Sequence, residues 1–142
     1  MVVFLNKHPI LILMVQDVRI VSHRKEKKKI AKFLKDNNIE FKRQYRIVPN
    51  DLFCATKLFK VDFYLTELNI IVEYNGEQHY MPISHFGGVQ KFEKQHERDI
   101  VLRQYCVENK IKLIEIPYTE FDNIEGILSK ELKIKNNSLK IS

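Results

Sequence analysis

Hydrophobic residues along the chain follow two periods, one typical of helices and one typical of strands. The spacing of Ile30, Phe33 and Leu34 forms the apolar stripe of a helix, whereas Phe59–Thr66 and Asn69–Tyr74 have strand composition. The pattern predicts, in chain order, a helix, three strands, a helix, a strand and a helix. They are expected at Ser22–Asn38, Phe41–Val48, Phe59–Thr66, Asn69–Tyr74, Val89–Asn109, Ile111–Ile116 and Glu120–Ile134.

Turn and capping residues mark the ends of several of these elements. Ser22 suits the N-cap of the first helix and Thr119 that of the last, while Glu67-Leu68-Asn69 predicts a tight hairpin. A strand that follows a crossover helix most naturally lies parallel to an earlier strand. The pattern therefore predicts one α/β domain of αβββαβ order, a mixed sheet flanked by helices. The expected divisions are a leader or extra strand at 1–21, the domain at 22–135 and a tail at 136–142.

Acidic side chains interrupt the two most apolar strands, Asp62 in the second and Glu73 in the third. A carboxylate among aliphatic residues is costly to desolvate unless it has a partner. Facing residues of antiparallel strands have Cβ atoms roughly 4.5–5.5 Å apart, so Asp62 and Glu73 could chelate one ion if the register aligns them. Carboxylate oxygens suit Mg²⁺, for which Mn²⁺ is expected to substitute. The alternative is two solvent-facing acids at strand edges.

Three further residues are spaced to reach the same region. Glu26 lies four residues before Ile30 on the apolar stripe, and Asp99 lies three before Leu102 on the inward side of the second helix. His79 follows the third strand, and an imidazole with a reference pKa near ~6.5 suits a general base or acid. The alternatives are a first-turn Glu26 favoured by the helix dipole and a structural His79.

The net charge of +6 is placed unevenly. Between His23 and Arg46 ten Lys and Arg residues stand against three acids, so this segment carries +7 and the remainder −1. A basic block is typical of a surface that binds a polyanion, most often nucleic acid. The alternative is a solvated lysine-rich helix face. The cations expected to contact DNA are Arg24, Lys25, Lys28, Lys29, Lys32 and Arg103.

Other features exclude several classes of protein. Cys54 and Cys106 have neither CxxC nor zinc-finger spacing, and two isolated thiols suit a reducing interior. The apolar run Ile10–Val15 is far shorter than the ~20 residues of a membrane span, and it lacks the basic flank and cleavage site of a signal peptide. We therefore expect an intracellular protein without a membrane partner.

Four motifs stand in the order expected of one nuclease family: V-D-F-Y-L, E-Y-N-G-E-Q-H-Y, F-x5-R-D and L-I-E-I-P-Y. Together with the αβββαβ order, they resemble the PD-(D/E)XK restriction-endonuclease-like superfamily over residues 22–118. The resemblance is to the branch containing very short patch repair endonucleases and phage-type homing endonucleases with a Glu, Asp, His, Asp site. It implies a restriction-endonuclease-like fold and Mg²⁺-dependent hydrolysis of DNA phosphodiester bonds.

By that resemblance Glu26 is the acid of the first helix, and Asp62 is the central metal ligand with Glu73 beside it. His79 is then the proton-transfer residue, and Asp99 is the acid of the second helix.

The chain departs from the family pattern at two positions. Asn75 stands where the usual E-x-K motif has its lysine, so His79 or Gln78 would take over that role. Leu102 stands one turn after the acid of the second helix, where similar sequences have a lysine, and Arg103 is the residue that would compensate.

Three functional classes fit these observations. The first is a metal-dependent DNA endonuclease of homing or repair type, the second is a catalytically inactive DNA-binding module on the same fold, and the third is a protein-interaction domain. The sequence does not distinguish a specific site, a mismatch, a junction or a transposon end as target. Cleavage of two strands favours two active sites, so a homodimer or a larger DNA-processing complex is expected.

Overall fold

The computed structural model describes residues 24–47 and 59–135, in which four strands and three helices occur. The elements are α1, whose described part covers 24–36, then β1 (Lys42–Ile47), β2 (Phe59–Leu65), β3 (Ile70–Asn75), α2 (Gly88–Glu108), β4 (Lys112–Pro117) and α3 (Ile124–Glu131). Short 3₁₀ turns occur at Glu77–His79, Ser84–Phe86 and Tyr118–Asn123. The predicted leader, the cap at Ser22 and the tail lie outside the described residues.

The strands form one mixed sheet in the order β1-β2-β3-β4. β1, β2 and β3 are antiparallel neighbours, and β4 runs parallel to β3 after the crossover through α2. This arrangement confirms the predicted α/β class, the order of elements and the mixed sheet. Among the helices at 24–47 and 59–135, none is both long and apolar enough to cross a membrane.

Apolar side chains pack on both faces of the sheet. Alternate residues of a strand point to opposite faces, and Val72 and Ile71 of β3 accordingly belong to different clusters. Val72 packs in a cluster that includes Ile30 of α1 and Leu128 of α3, and Ile71 packs in one that includes Leu102 of α2. Burial of each such side chain contributes roughly 1.5–3 kcal/mol. The helices therefore hold the sheet from both sides.

Regular alternation fails in β1 and β2 at Gln44 and Asp62. Phe63 packs in the cluster with α1 and α3, whereas Val61, two residues earlier, packs in the cluster with α2. Gln44 has a φ of 51°, a left-handed conformation that non-glycine residues seldom adopt within a strand. The sheet thus changes the direction of its side chains at the position where Asp62 lies.

The last helix is shorter than the predicted Glu120–Ile134, and the predicted N-cap at Thr119 is wrong. Thr119 lies inside a 3₁₀ segment, and α3 begins only at Ile124 with no side-chain cap. Glu120 has a non-helical backbone (φ −105°, ψ 26°) that interrupts the 3₁₀ segment. Lys29 Nζ donates to the Phe121 carbonyl oxygen at 3.2 Å, so a backbone acceptor in this segment is satisfied from α1.

Candidate active site

β2 and β3 bring Asp62 and Glu73 together where the two strands separate. Their register pairs Phe63 with Val72, and its continuation pairs Asp62 with Glu73. At this point the backbone N–H of Tyr74 donates to Asp62 Oδ2 at 3.0 Å. Both residues are buried, with exposed fractions of 7% for Asp62 and 6% for Glu73. The side chain of Asp62 therefore serves as the acceptor for a β3 backbone donor.

The acid pair carries more negative charge than its surroundings readily accommodate. Burial and the neighbouring Asp62 carboxylate raise the pKa of Glu73 to about 8, although Arg98 acts in the opposite direction. Within the described part of the chain, buried Oε1 of Glu73 accepts no hydrogen bond. Its ion pair with Arg98 Nη2 spans 3.6 Å. A further cation would be stabilised here.

Two cationic side chains from opposite helices approach the pair. Lys27 Nζ of α1 lies 2.7 Å from Asp62 Oδ1. Arg98 of α2 lies 3.6 Å from both Glu73 Oε1 and Asp99 Oδ1, and it also donates to the Lys60 carbonyl oxygen. Arg98 therefore connects the acid pair to Asp99.

Lys27 is a site residue that the sequence analysis missed. It was grouped with the lysines of α1 by charge alone, yet it lies three residues before Ile30, which is fully buried. Residues three apart on a helix share a face. That spacing was the signal that could have separated Lys27 from its exposed neighbours.

His79, which is partly buried, and the buried Asp99 form a second pair beside the first. His79 Nδ1 lies 2.8 Å from Asp99 Oδ2, and Gln95 Nε2 donates to Asp99 Oδ1 at 2.8 Å. Burial acts to raise the pKa of Asp99, but the His79 contact outweighs it, with help from Gln95 and Arg98, and the pKa is lowered. Because an ionised carboxylate only accepts hydrogen bonds, Nδ1 donates and Nε2 of the neutral ring is left as the basic nitrogen.

The structure places the other two predicted acid–base residues less directly. Glu26 is buried as the helical stripe predicted, and it contacts the phenol of Tyr74. Burial, the charge of Glu26 and a hydrogen bond to it raise the pKa of Tyr74. Gln78 lies in the 3₁₀ turn beside His79 and is partly exposed. Glu26 therefore lies against Tyr74, and Gln78 lies beside His79 along the chain.

The predicted DNA-contacting cations divide into exposed and engaged residues. Lys29 also lies 4.7 Å over the Phe121 ring, and Arg103 makes two 3.0 Å hydrogen bonds to Glu115. Lys32 is exposed and pairs with Asp36 at 2.7 Å. Lys29 and Arg103 thus have structural partners. The exposed members that remain are Arg24, Lys25 and Lys28.

No group of three or more His, Cys, Asp or Glu side chains within 24–47 and 59–135 is arranged to bind a metal ion. Asp62 and Glu73 offer two carboxylates. Mg²⁺ commonly retains several waters and uses one or two protein carboxylates, so the pair is chemically suited to it. The buried Glu73 oxygen without a hydrogen bond is the structural feature that fits such an ion.

Comparison with known proteins finds viral relatives over about half of the chain. The chain is 47% identical over 78 residues to uncharacterized protein 094L of Frog virus 3 (isolate Goorha), a match covering 54% of this chain and 50% of that protein. It is 44% identical over 75 residues to uncharacterized protein 307L of Invertebrate iridescent virus 6, covering 52% and 38%. Uncharacterized protein 033L of Invertebrate iridescent virus 3 is 38% identical over 76 residues, covering 52% and 39%.

The chain therefore spans half the length, or less, of these relatives. No family model and no solved structure matches it.

Proposed function

We propose that the chain is a metal-dependent endonuclease that hydrolyses phosphodiester bonds of DNA on a restriction-endonuclease-like fold. The observation that carries the proposal is the juxtaposition of two pairs, the buried Asp62 with Glu73 and the partly buried His79 with Asp99, connected through Arg98. Buried carboxylates with a perturbed pKa beside an oriented imidazole are typical of catalytic sites. The motif resemblance supports the same assignment.

Asp62 and Glu73 are the residues that would hold Mg²⁺ or Mn²⁺. When bound, such an ion would neutralise charge on the phosphate and lower the pKa of a coordinated water. In its absence the pair depends on Lys27 and Arg98 for charge compensation. The raised pKa of Glu73 shows that this compensation is incomplete.

The remaining residues have separate roles in this proposal. His79 Nε2 accepts a proton from the attacking water or donates one to the leaving oxygen, and Asp99 holds the ring in the required tautomer. Position 75 is Asn, so no lysine there balances the charge of Asp62. Lys27 balances that charge instead, and without Lys27 only the metal would do so. The exposed cations of α1 would bind backbone phosphates on either side of the scissile bond.

The wider setting belongs to the same proposal. A homing- or repair-type enzyme acting inside a cell would cut both strands with two active sites, in a homodimer or a larger DNA-processing complex. The viral relatives are uncharacterized proteins, so they neither favour nor oppose a particular target.

A nicking assay on supercoiled plasmid with Mg²⁺ or Mn²⁺ tests the proposal. Wild type should convert the plasmid to the open-circular form only with metal, and Asp62→Asn and His79→Ala should each abolish conversion. His96→Ala is the matched control, since His96 is exposed on α2 and stacks on Phe92. Nicking that persists in EDTA, or in both site variants, would contradict the proposal.

A second candidate is a DNA-binding module without catalysis. The observation that favours it is the pairing of Lys27 with Asp62 in place of a lysine at Asn75. This candidate predicts salt-dependent DNA binding and no metal-dependent cleavage of plasmid, mismatched or branched DNA.

A further inference from the structure

A groove of about 310 Å³ lies on the α2 side of the sheet, beside its β1 edge, and outside the candidate active site. Strand β1 and strand β2 form one wall, and the C-terminal part of α2 with the residue that precedes β4 forms the other. The lining residues are Tyr45, Arg46, Ile47, Tyr64, Tyr105 and Ile111.

Three tyrosines give this groove its chemical character. The rings of Tyr45 and Tyr64 are stacked, with centroids 4.9 Å apart and planes inclined by 28°. Burial, Cys106 and the phenols of Tyr64 and Tyr45 all raise the pKa of the Tyr105 hydroxyl. Tyr105 of α2 is therefore close to both phenols. A phenol offers a flat apolar surface with a polar end, which suits a ligand that is itself flat and polar at its edge.

The surroundings of the groove are positively charged. Arg46 in its lining is exposed, as are Lys42 of β1 and Lys60 of β2, and β1 contains no acidic residue. Lys42 Nζ lies 5.6 Å from the Tyr45 ring centroid. On α2, the exposed Glu108 accepts a hydrogen bond from Gln104 and is the acid next to this region. The groove thus pairs aromatic surface with cations.

The groove lies next to the candidate active site along β1 and β2. Tyr45 pairs with Val61, the residue immediately before Asp62. Its neighbour Gln44 reaches Asp62 Oδ1 through Nε2 at 3.4 Å. A ligand that lies along β1 and β2 in the groove is therefore directed toward the carboxylate pair.

We propose that this groove binds unpaired nucleotides of a nucleic-acid substrate, with bases against the tyrosines and a phosphate at Lys42, the cation that lies over Tyr45. The choice of ligand rests on the proposed function. In a duplex the faces of the bases are covered by their neighbours, so only an unpaired strand can present them to aromatic side chains. The groove makes single-stranded, gapped or flapped DNA a better ligand than a continuous duplex.

Fluorescence anisotropy in EDTA measures this binding without cleavage. The full chain is titrated into a labelled 12-nucleotide DNA strand, the same strand in a blunt duplex, and its RNA equivalent. Wild type should bind the single strand more tightly than the duplex. Tyr105→Leu, which keeps apolar volume but removes the ring, should weaken single-strand binding about tenfold, as should Lys42→Ala.

Arg43→Ala is the matched control for Lys42→Ala. Both residues are exposed on β1 and both variants remove one positive charge, but Lys42 lies over the Tyr45 ring of the groove, whereas Arg43 lies over the Phe63 ring in the cluster on the other face. The control should change single-strand affinity less than threefold. Thermal melting of each variant establishes that it is folded.

Three results would overturn the groove proposal. They are equal losses for Arg43→Ala and Lys42→Ala, an affinity for duplex equal to that for the single strand, and a dimer that protects Tyr105 in solution. The RNA strand establishes whether the groove distinguishes sugars. If wild type nicks plasmid and the groove variants bind DNA normally, the groove proposal alone is overturned. If the groove binds the single strand and wild type does not nick plasmid, the hydrolytic function alone is overturned.

Discussion

Replacing Glu73 by Gln should stabilise the folded protein at high pH while abolishing cleavage. The carboxylate of Glu73 is buried beside Asp62, and its pKa is raised from 4.5 to about 8. Because the folded state holds this proton more tightly than the unfolded state, stability is fully present below pH 4.5 and is lost as the pH rises toward 8. A neutral amide of the same shape removes that loss.

The magnitude follows from the difference between the two pKa values. A difference of 3.5 pH units, from 4.5 to about 8, at about 1.36 kcal/mol per unit corresponds to a cost on the order of 5 kcal/mol above pH 8. Total stabilities of small domains are about 5–15 kcal/mol, so this single group would be a large fraction of the whole.

Urea denaturation of wild type and Glu73→Gln between pH 4.5 and 9, without divalent metal, measures the effect. The two proteins should have similar stability at pH 4.5, and the variant should be more stable by several kcal/mol at pH 8.5. Glu67→Gln, at an exposed turn position, should follow the wild-type profile. Parallel profiles for wild type and Glu73→Gln, or a variant less stable at pH 8.5, would refute the reasoning.

Three other predictions concern the neighbouring residues and the basic helix. Lys27→Met should destabilise the protein by roughly 1–3 kcal/mol at pH 7, because Asp62 loses a cation 2.7 Å away, and Lys27→Arg should retain most of the stability in urea denaturation. Asp99→Asn should slow plasmid nicking on the order of 10²-fold or more with unchanged DNA affinity, because the His79 ring loses its carboxylate partner. Replacing the exposed cations of α1 with Gln should lower the slope of log K against log salt by about 0.9 for each lost phosphate contact, measured by filter binding. Those cations are Arg24, Lys25 and Lys28.

The sheet could be predicted from sequence because local patterns determine most of it. Strand composition and the hairpin at Glu67-Leu68-Asn69 predicted β2 and β3, and the intervening helix α2 predicted a parallel β4. The end of the chain was harder. Helical spacing extends back to Glu120, but the backbone at that residue is non-helical, and a hydrogen bond from Lys29 satisfies the following carbonyl. Such a contact depends on packing between distant segments.

The site was predictable in its acids and His79 but not in its cations. Asp62 and Glu73 are conspicuous because carboxylates are unusual between aliphatic strand residues. Lys27 belongs to a lysine-rich helix in which charge is uninformative. Arg98 has partners on two different strands, and it reaches them only after α2 has packed on the sheet.

Asp62 has a structural role that Glu73 lacks, because Asp62 accepts a hydrogen bond from the Tyr74 backbone. A protein that no longer cleaves DNA would not need a charged residue at position 62 or at position 73. At position 62 it would still require an oxygen acceptor, so we expect inactive descendants to keep Asp or change to Asn there. Glu73, whose burial costs stability, would be free to drift toward Gln or an apolar residue. We therefore expect proteins that have lost the proposed cleavage activity to vary more at position 73 than at position 62.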